Sequence, residues 1–215
     1  MVFDDRTDAG ERLADLLERQ SVDADLVLAI PRGGLPVGRV VADRLDVPLD
    51  VVVAQKLGAP GNPELAIGAV AGDGSVWLND DLVDRLGVSA EYVEAVRERE
   101  AENARGKVAS YRGGEAVPEM RGKRVVLVDD GIATGATAIA CLRQIRNAGA
   151  AHVVLAVPVA SADASSRLAT ELDAFACVES PQFFQAVGQY YRSFEQVSNE
   201  EARAILESHQ SEQAE

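Results

Sequence analysis

Apolar runs without alternation recur along the chain at residues 25–30, 125–128 and 152–159. Such runs predict strands buried on both faces, as in a parallel sheet covered by helices. Residues 49–56, rich in valine and ending at the polar Gln55-Lys56, predict a further strand, and residues 175–178 another. Helical spacing appears in between. Leu13, Leu16 and Leu17 follow Thr7-Asp8-Ala9-Gly10 and predict a capped helix to about Gln20. Val37, Val40, Val41 and Leu45 predict a second helix, residues 136–148 a third, and residues 165–172 another. Residues 66–71 and 75–78 flank Gly72-Asp73-Gly74 and predict a hairpin. Residues 57–64 hold Gly58, Pro60, Gly61 and Pro63, which predict an irregular, mobile loop. Residues 79–114 read as helical and charged, with a first turn at Asn79-Asp80-Asp81 and a long run from Ser89 through Arg112 whose acidic and basic residues form a solvated face. Ser198-Asn199-Glu200-Glu201 predicts the cap of a final helix, with a frayed polar tail from Ser208 onward.

Strands alternating with helices give an α/β fold with a mostly parallel twisted sheet flanked by helices. We expect one domain over residues 1–215, its core at about 22–180, with a small C-terminal hood and helix at about 181–208. Ligands of such sheets gather where strands end and helices begin.

Two of these junctions carry chemistry. Val125-Val126-Leu127-Val128 runs into Asp129-Asp130-Gly131-Ile132-Ala133-Thr134-Gly135-Ala136-Thr137. Gly131 and Gly135 allow a tight turn and close backbone approach, and the helix N-terminus with the hydroxyls of Thr134 and Thr137 offers donors to a phosphate. Adjacent strand-end carboxylates suit a sugar diol or a hydrated Mg2+. The second junction is Pro31-Arg32-Gly33-Gly34, where a guanidinium fork and two glycines fit a diphosphate. It precedes the acidic pair by about a hundred residues.

Composition narrows the partners. Thirty-five acidic against 21 basic residues give a net charge of −14, with Lys56, Lys107 and Lys123 the only lysines. Binding to nucleic acid or an anionic membrane needs clustered cations, so neither is expected. An acidic, lysine-poor surface is the habit of proteins from a high-salt cytoplasm. No apolar run has the length of a membrane span, and residues 1–6 lack the basic-then-apolar pattern of a signal peptide, so a cytoplasmic location is expected. Cys141 and Cys177 read as core residues rather than a disulfide or metal pair. A hydrolytic triad is not expected, since no GxSxG elbow or positioned Cys-His pair is visible.

The segment from Val125 to Thr137 resembles the phosphoribosyl pyrophosphate signature of the type I phosphoribosyltransferases, with Gly131 where that family more often has a branched aliphatic. Pro31-Arg32-Gly33-Gly34 resembles the family's pyrophosphate loop, which implies a non-proline cis peptide at Arg32–Gly33 or a neighbouring bond. Residues 55–68 resemble its flexible loop and hairpin, and residues 181–194, which concentrate five aromatics, its C-terminal hood. The hood reads equally as core packing, a dimer contact or a platform for a planar base. Together these segments resemble a group of largely uncharacterised phosphoribosyltransferases.

The resemblance implies Mg2+-dependent transfer of the 5-phosphoribosyl group from phosphoribosyl pyrophosphate to a nitrogen nucleophile, in a homodimer, with release of pyrophosphate. By the same resemblance Thr134, Gly135, Ala136 and Thr137 would hold the 5-phosphate, with Gly131, Ile132 and Ala133 completing the turn. Asp129 and Asp130 would hold the ribose diol, with Mg2+ bound through the same pair. Pro31, Arg32, Gly33, Gly34 and Lys56 would hold the pyrophosphate, and Glu64 would approach the base or metal on loop closure. The 6-oxopurine enzymes of the family place an Asp where this chain has Ala133, which argues against hypoxanthine and guanine. Adenine-type enzymes have Ala there but use a Glu that aligns with Val70. The rival readings are a non-catalytic nucleotide or phosphoribosyl pyrophosphate sensor on the same fold and, more remotely, a sugar-phosphate hydrolase.

Overall fold

The computed structural model describes residues 2–113 and 117–213. Gly114, the expected end of the charged helical stretch, and the expected domain ends Met1 and Glu215 lie outside the described residues.

Among the described residues, eight strands divide between two sheets. Five of them, β1 (Leu26–Ala29), β2 (Leu49–Val51), β6 (Arg124–Val128), β7 (His152–Val159) and β8 (Ala174–Glu179), form the central parallel sheet in the order β2-β1-β6-β7-β8. The unalternated runs are explained by cover on both sides. Leu26, Leu28, Val125, Leu127, Val153 and Leu155 face one core, shared with α5 (Ala136–Asn147) and α6 (Ala162–Leu168). Val27, Ala29, Val126, Val128, Val154 and Ala156 face the other, under α1 (Arg6–Arg19), α2 (Gly34–Leu45) and α7 (Asn199–Gln213).

The second sheet, of β3 (Ala54–Ala59), β4 (Asn62–Ala71) and β5 (Val76–Leu78), is antiparallel. It packs against α3 (Asp80–Leu86) and α4 (Ala90–Arg112) through Leu57, Ile67, Val70 and Val96. The expected single strand over residues 49–56 is therefore two. Pairing with β1 ends at Val51, and after Val52-Val53 the chain joins the other sheet.

The expected irregular loop over residues 57–64 is instead a hairpin. Ala59 pairs with Asn62 across Pro60-Gly61, and Gly61 has a φ of +72°. A proline followed by a glycine with positive φ suits the two central positions of a tight turn. The ladder shifts register on both sides of Gly58, whose missing side chain leaves room for the Pro63 backbone: a Cβ there would lie 2.7 Å from the Pro63 Cα.

Helix boundaries also differ from the expected ones. Asp5 caps α1, taking the Thr7 and Asp8 amides, so the helix begins at Arg6. Ser161 caps α6, which runs over Ala162–Leu168 rather than residues 165–172. The tail expected to fray from Ser208 is helical to Gln213. His209 anchors it, 2% exposed, with one ring nitrogen 2.9 Å from Asp43 Oδ1 and the other 3.1 Å from the Val47 carbonyl.

A long-range ion pair ties the layers together. Arg112, at the end of α4, donates from Nε to both Asp50 carboxylate oxygens at 2.9 and 3.0 Å and from Nη2 to the Val51 carbonyl at 3.2 Å. Their side chains are 6% and 9% exposed, so removing one partner strands a charge in a dry site. Arg112→Met should cost about 3–5 kcal/mol. Adding Asp50→Asn should recover part of that loss; urea unfolding of both variants measures it, and an unchanged midpoint in the single variant would show the pair contributes nothing.

Candidate functional site

The site lies where β1 and β6 end side by side, with Ala29 in register with Val128. Each strand turns at once into a helix. The first turn, Pro31-Arg32-Gly33-Gly34, contains a cis peptide at Pro31–Arg32 and leads into α2. The second, Asp129 to Gly135, leads into α5 and is tied to the end of β7: Ile132 N–H donates to the Val159 carbonyl at 2.9 Å, and Ser161 Oγ donates to the Ala133 carbonyl at 2.7 Å.

These two helices differ from the others. Side chains of Asp5, Asn79, Ser89 and Ser161 cap α1, α3, α4 and α6, each with acid in the first turn, and Ser198 and Glu201 form a reciprocal capping box on α7. The caps of α2 and α5 are Gly33 and Gly135; neither has a side-chain cap or an acidic residue in its first turn. In α5 the amides of Ala136, Thr137 and Ala138 have no backbone acceptor among the described residues and are left to an external one. In α2, Gly34 N–H donates to the Ile30 carbonyl at 3.1 Å, Leu35 N–H donates to the Arg32 carbonyl at 3.2 Å and Pro36 has no N–H, so that terminus offers an anion its dipole rather than free amides.

A cavity of about 250 Å³ joins several predicted residues: Lys56, Asp129, Gly131, Ile132, Ala133, Thr134, Gly135 and Thr137, with Val187 and Ala138. Ala133 and Thr134 are exposed, while Ala136 sits buried at the start of α5. Lys56 reaches the cavity from β3, so the hairpin sheet supplies its cation.

Other predicted residues are placed elsewhere. Arg32 Nη1 bonds Asn199 Oδ1 at 3.3 Å, toward α7. Glu64 is exposed on β4 and is absent from the cavity wall. Gly33 and Gly34 form the bed on which the acidic pair rests: a Cβ on Gly33 would stand 2.0 Å from Asp130 Oδ2, and one on Gly34 2.9 Å from the Val128 carbonyl.

The two aspartates have different surroundings. Asp129 lines the cavity, and its Oδ1 accepts the Asp130 amide at 2.8 Å. Burial and the neighbouring Asp130 charge push its carboxyl well above the ordinary carboxylate range. Asp130 is pushed up by burial and held back by Arg6, whose Nη2 lies 2.8 Å from Oδ2. Among the described residues no cluster of three His, Cys, Asp or Glu could hold a metal ion. The pair nonetheless fits Mg2+, which commonly takes one or two carboxylates and fills its remaining positions with substrate oxygens and water.

Arg6 is not legible in the sequence as a site residue, since it stands beside a helix cap with no motif around it, while Val187 and Tyr191 fall within residues 181–194, read as the hood without either being singled out. Val187 explains the departure at Gly131, because a Cβ there would meet Val187 Cγ1 at 2.6 Å and Val159 Cγ1 at 2.9 Å.

Paired strand ends, each turning into a helix beside a carboxylate pair, are the place where an open α/β sheet gathers its ligands. The sequence model of the phosphoribosyl transferase domain family matches residues 5–193, and the chain belongs to that family. It is 45% identical over 206 residues to a Mycobacterium tuberculosis protein that carries the provisional name phosphoribosyl transferase Rv0571c. That match covers 96% of this chain and 46% of the relative, so the chain spans about half the length of the curated relatives it matches. The crystal structure of TT1426 from Thermus thermophilus is similar at 41% identity and a TM-score of 0.82, covering 97% of this chain and 99% of that one. A hypothetical protein from Neisseria gonorrhoeae with bound ppGpp shares the fold at 16% identity and a TM-score of 0.52, covering 96% of each chain.

Gly33→Ala should force Asp130 off its seat against Arg6 and cost about 1–3 kcal/mol, the usual range for overpacking. Urea unfolding gives the cost, and a crystal structure of the variant with the Arg6–Asp130 contact intact would contradict the account.

Proposed function

We propose that the protein transfers the 5-phosphoribosyl group from phosphoribosyl pyrophosphate to a nitrogen of a nucleobase-like acceptor and releases pyrophosphate. The observation that carries this reading is the pair of helix N-termini without side-chain caps flanking two carboxylates, in a chain whose other described α-helices are capped by acceptor side chains. The free amides that open α5 suit the 5-phosphate, and the Pro31–Gly34 turn with the dipole of α2 and Lys56 suits the pyrophosphate. The spacing of two phosphate sites around a diol-binding pair is what phosphoribosyl pyrophosphate requires.

In this reading the amides of Gly135, Ala136 and Thr137 and the hydroxyls of Thr134 and Thr137 hold the 5-phosphate. Asp129 and Asp130 take the ribose hydroxyls and stabilise positive charge that develops at the anomeric carbon. Gly33, Gly34 and Lys56 receive the pyrophosphate. Arg32 joins them by leaving Asn199, a contact at the long end of hydrogen bonding and cheap to break. Asp129 and Asp130 would hold Mg2+, which when bound would neutralise charge on the leaving group. Ala133 cannot take a proton from the ring nitrogen of a 6-oxopurine, so the acceptor is of another class.

A turnover assay with phosphoribosyl pyrophosphate, Mg2+ and a panel of bases tests the proposal. Binding without turnover would indicate a sensor, and efficient use of hypoxanthine would contradict the acceptor reading. Phosphoribosyl pyrophosphate with Mg2+ should also raise Tm by mass action. The increment should shrink on acidification: Asp129 protonates at higher pH than an ordinary carboxyl, the ligand-free fold tolerates that proton, and the bound form needs the carboxylate. An increment that stays constant from neutral pH to below the ordinary carboxylate range would remove Asp129 from the site.

Lys56→Ala removes the cavity's cation from the hairpin side. The loss should be about 3 kcal/mol in transition-state stabilisation, on the order of a hundredfold in kcat, with a smaller effect on KM. Steady-state kinetics decide it, and parent-like kcat would make Lys56 an ordinary exposed strand residue.

A further inference from the structure

Arg6 lies outside every motif, yet it has the most constrained guanidinium near the site. Its Nε and Nη2 converge on a single oxygen of Asp130, Oδ2, at 2.9 and 2.8 Å. Its Nη1 donates to the Glu195 carbonyl at 2.7 Å, and the guanidinium carbon sits 4.0 Å from the centroid of the Phe194 ring. The Arg6 and Asp130 side chains are 12% and 14% exposed.

Tyr191 fixes the same residue from its backbone, its phenol donating to the Asp130 carbonyl at 2.5 Å. Tyr191 is itself held between Phe3 and Phe194, with ring centroids 5.3 and 5.0 Å away. The N-terminal segment and the C-terminal hood thus converge on one aspartate. Among the described residues no other side chain bonds its second oxygen, Oδ1.

Desolvating both partners makes a buried ion pair a poor device for stability alone. This one is also one-sided, as the guanidinium spends two donors on one oxygen instead of the two-oxygen fork it could form. Gly33 adds to the case, because the position where its Cβ would stand is taken by that gripped oxygen.

We infer that Arg6 is a positioning residue for Asp130: it fixes Oδ2, leaves Oδ1 for a ribose hydroxyl, and with Tyr191 and Phe194 makes the hood part of the sugar site. The inference rests on the phosphoribosyl pyrophosphate reading above. It assigns a function to two segments far apart in sequence and outside both phosphate loops.

Calorimetric titration of phosphoribosyl pyrophosphate with Mg2+ into the parent, Arg6→Met, Arg6→Lys, Asp130→Asn and the Arg6→Met/Asp130→Asn double variant tests it, with inorganic phosphate as a second titrant. Arg6→Met should weaken phosphoribosyl pyrophosphate binding about 10- to 100-fold, the range for partners that orient a binding group. It should leave inorganic phosphate binding at the parent level, and Arg6→Lys should recover part of the loss. The double variant should bind no more weakly than Asp130→Asn, because both changes remove the same interaction. Parent-like binding by Arg6→Met, or losses that add in the double variant, would overturn the inference while the functional reading stands. A parent that fails to bind phosphoribosyl pyrophosphate overturns both. Should Arg6→Met not fold, Tyr191→Phe decides: weakened sugar-ligand binding with unchanged phosphate binding supports the assembly, and parent-like binding of both ligands overturns it.

Discussion

Parallel pairing of β1 with β6, in a register that sets Ala29 beside Val128, is the constraint on which the site depends. Two neighbouring parallel strands that end at the same level present two turns and two helix N-termini at one edge. Each turn must then fit against the other. Gly33 and Gly34 have no side chains because the end of β6 occupies that space, and the Asp129–Asp130 pair can sit there only because they lack them. The geometry of the paired turns therefore follows from strand register and two missing Cβ atoms.

Electrostatics acts on top of this packing. Two carboxylates placed together in a partly dry strand end repel each other, and burial raises both. The structure relieves Asp130 by direct contact with Arg6, whereas Asp129, which lines the cavity, feels Arg6 only through its charge. That asymmetry makes Asp129 the more receptive of the two to an incoming cation. The Asp50–Arg112 pair is the contrasting case, fully matched within the fold and facing the interior.

What the chain's pattern reveals is local. Buried strands, the acidic turn with Gly131 and Gly135, and the glycine pair after Pro31 are each written in consecutive residues, and their physical meaning survives without tertiary context. What it conceals depends on partners far away. Arg6 meets Asp130 across 124 positions, Arg112 meets Asp50 across 62, and His209 meets Asp43 across 166. No window of sequence contains both halves of such pairs. The hairpin over β3 and β4 is hidden for a different reason: Pro60-Gly61 looks like a break in structure, when a proline and a positive-φ glycine are what a two-residue turn uses. The glycine at position 58 then absorbs the register shift that Pro63 imposes.

The net charge of −14 gives the paired N-termini their significance. A strongly acidic protein repels anions in general, so a phosphorylated ligand must find a place where the local field reverses. The other helices reinforce the acidic surface by closing their N-termini with their own acceptors and placing acids in the first turn. Among the described α-helices only α2 and α5 lack both, and Lys56 adds one of the chain's few lysines to the cavity beside α5. Salt screens the diffuse surface charge over about 10 Å but acts much less on donors in direct contact with a ligand. High ionic strength therefore lowers the general repulsion while leaving the short-range capture intact, and an acidic surface becomes compatible with binding a multiply charged sugar phosphate.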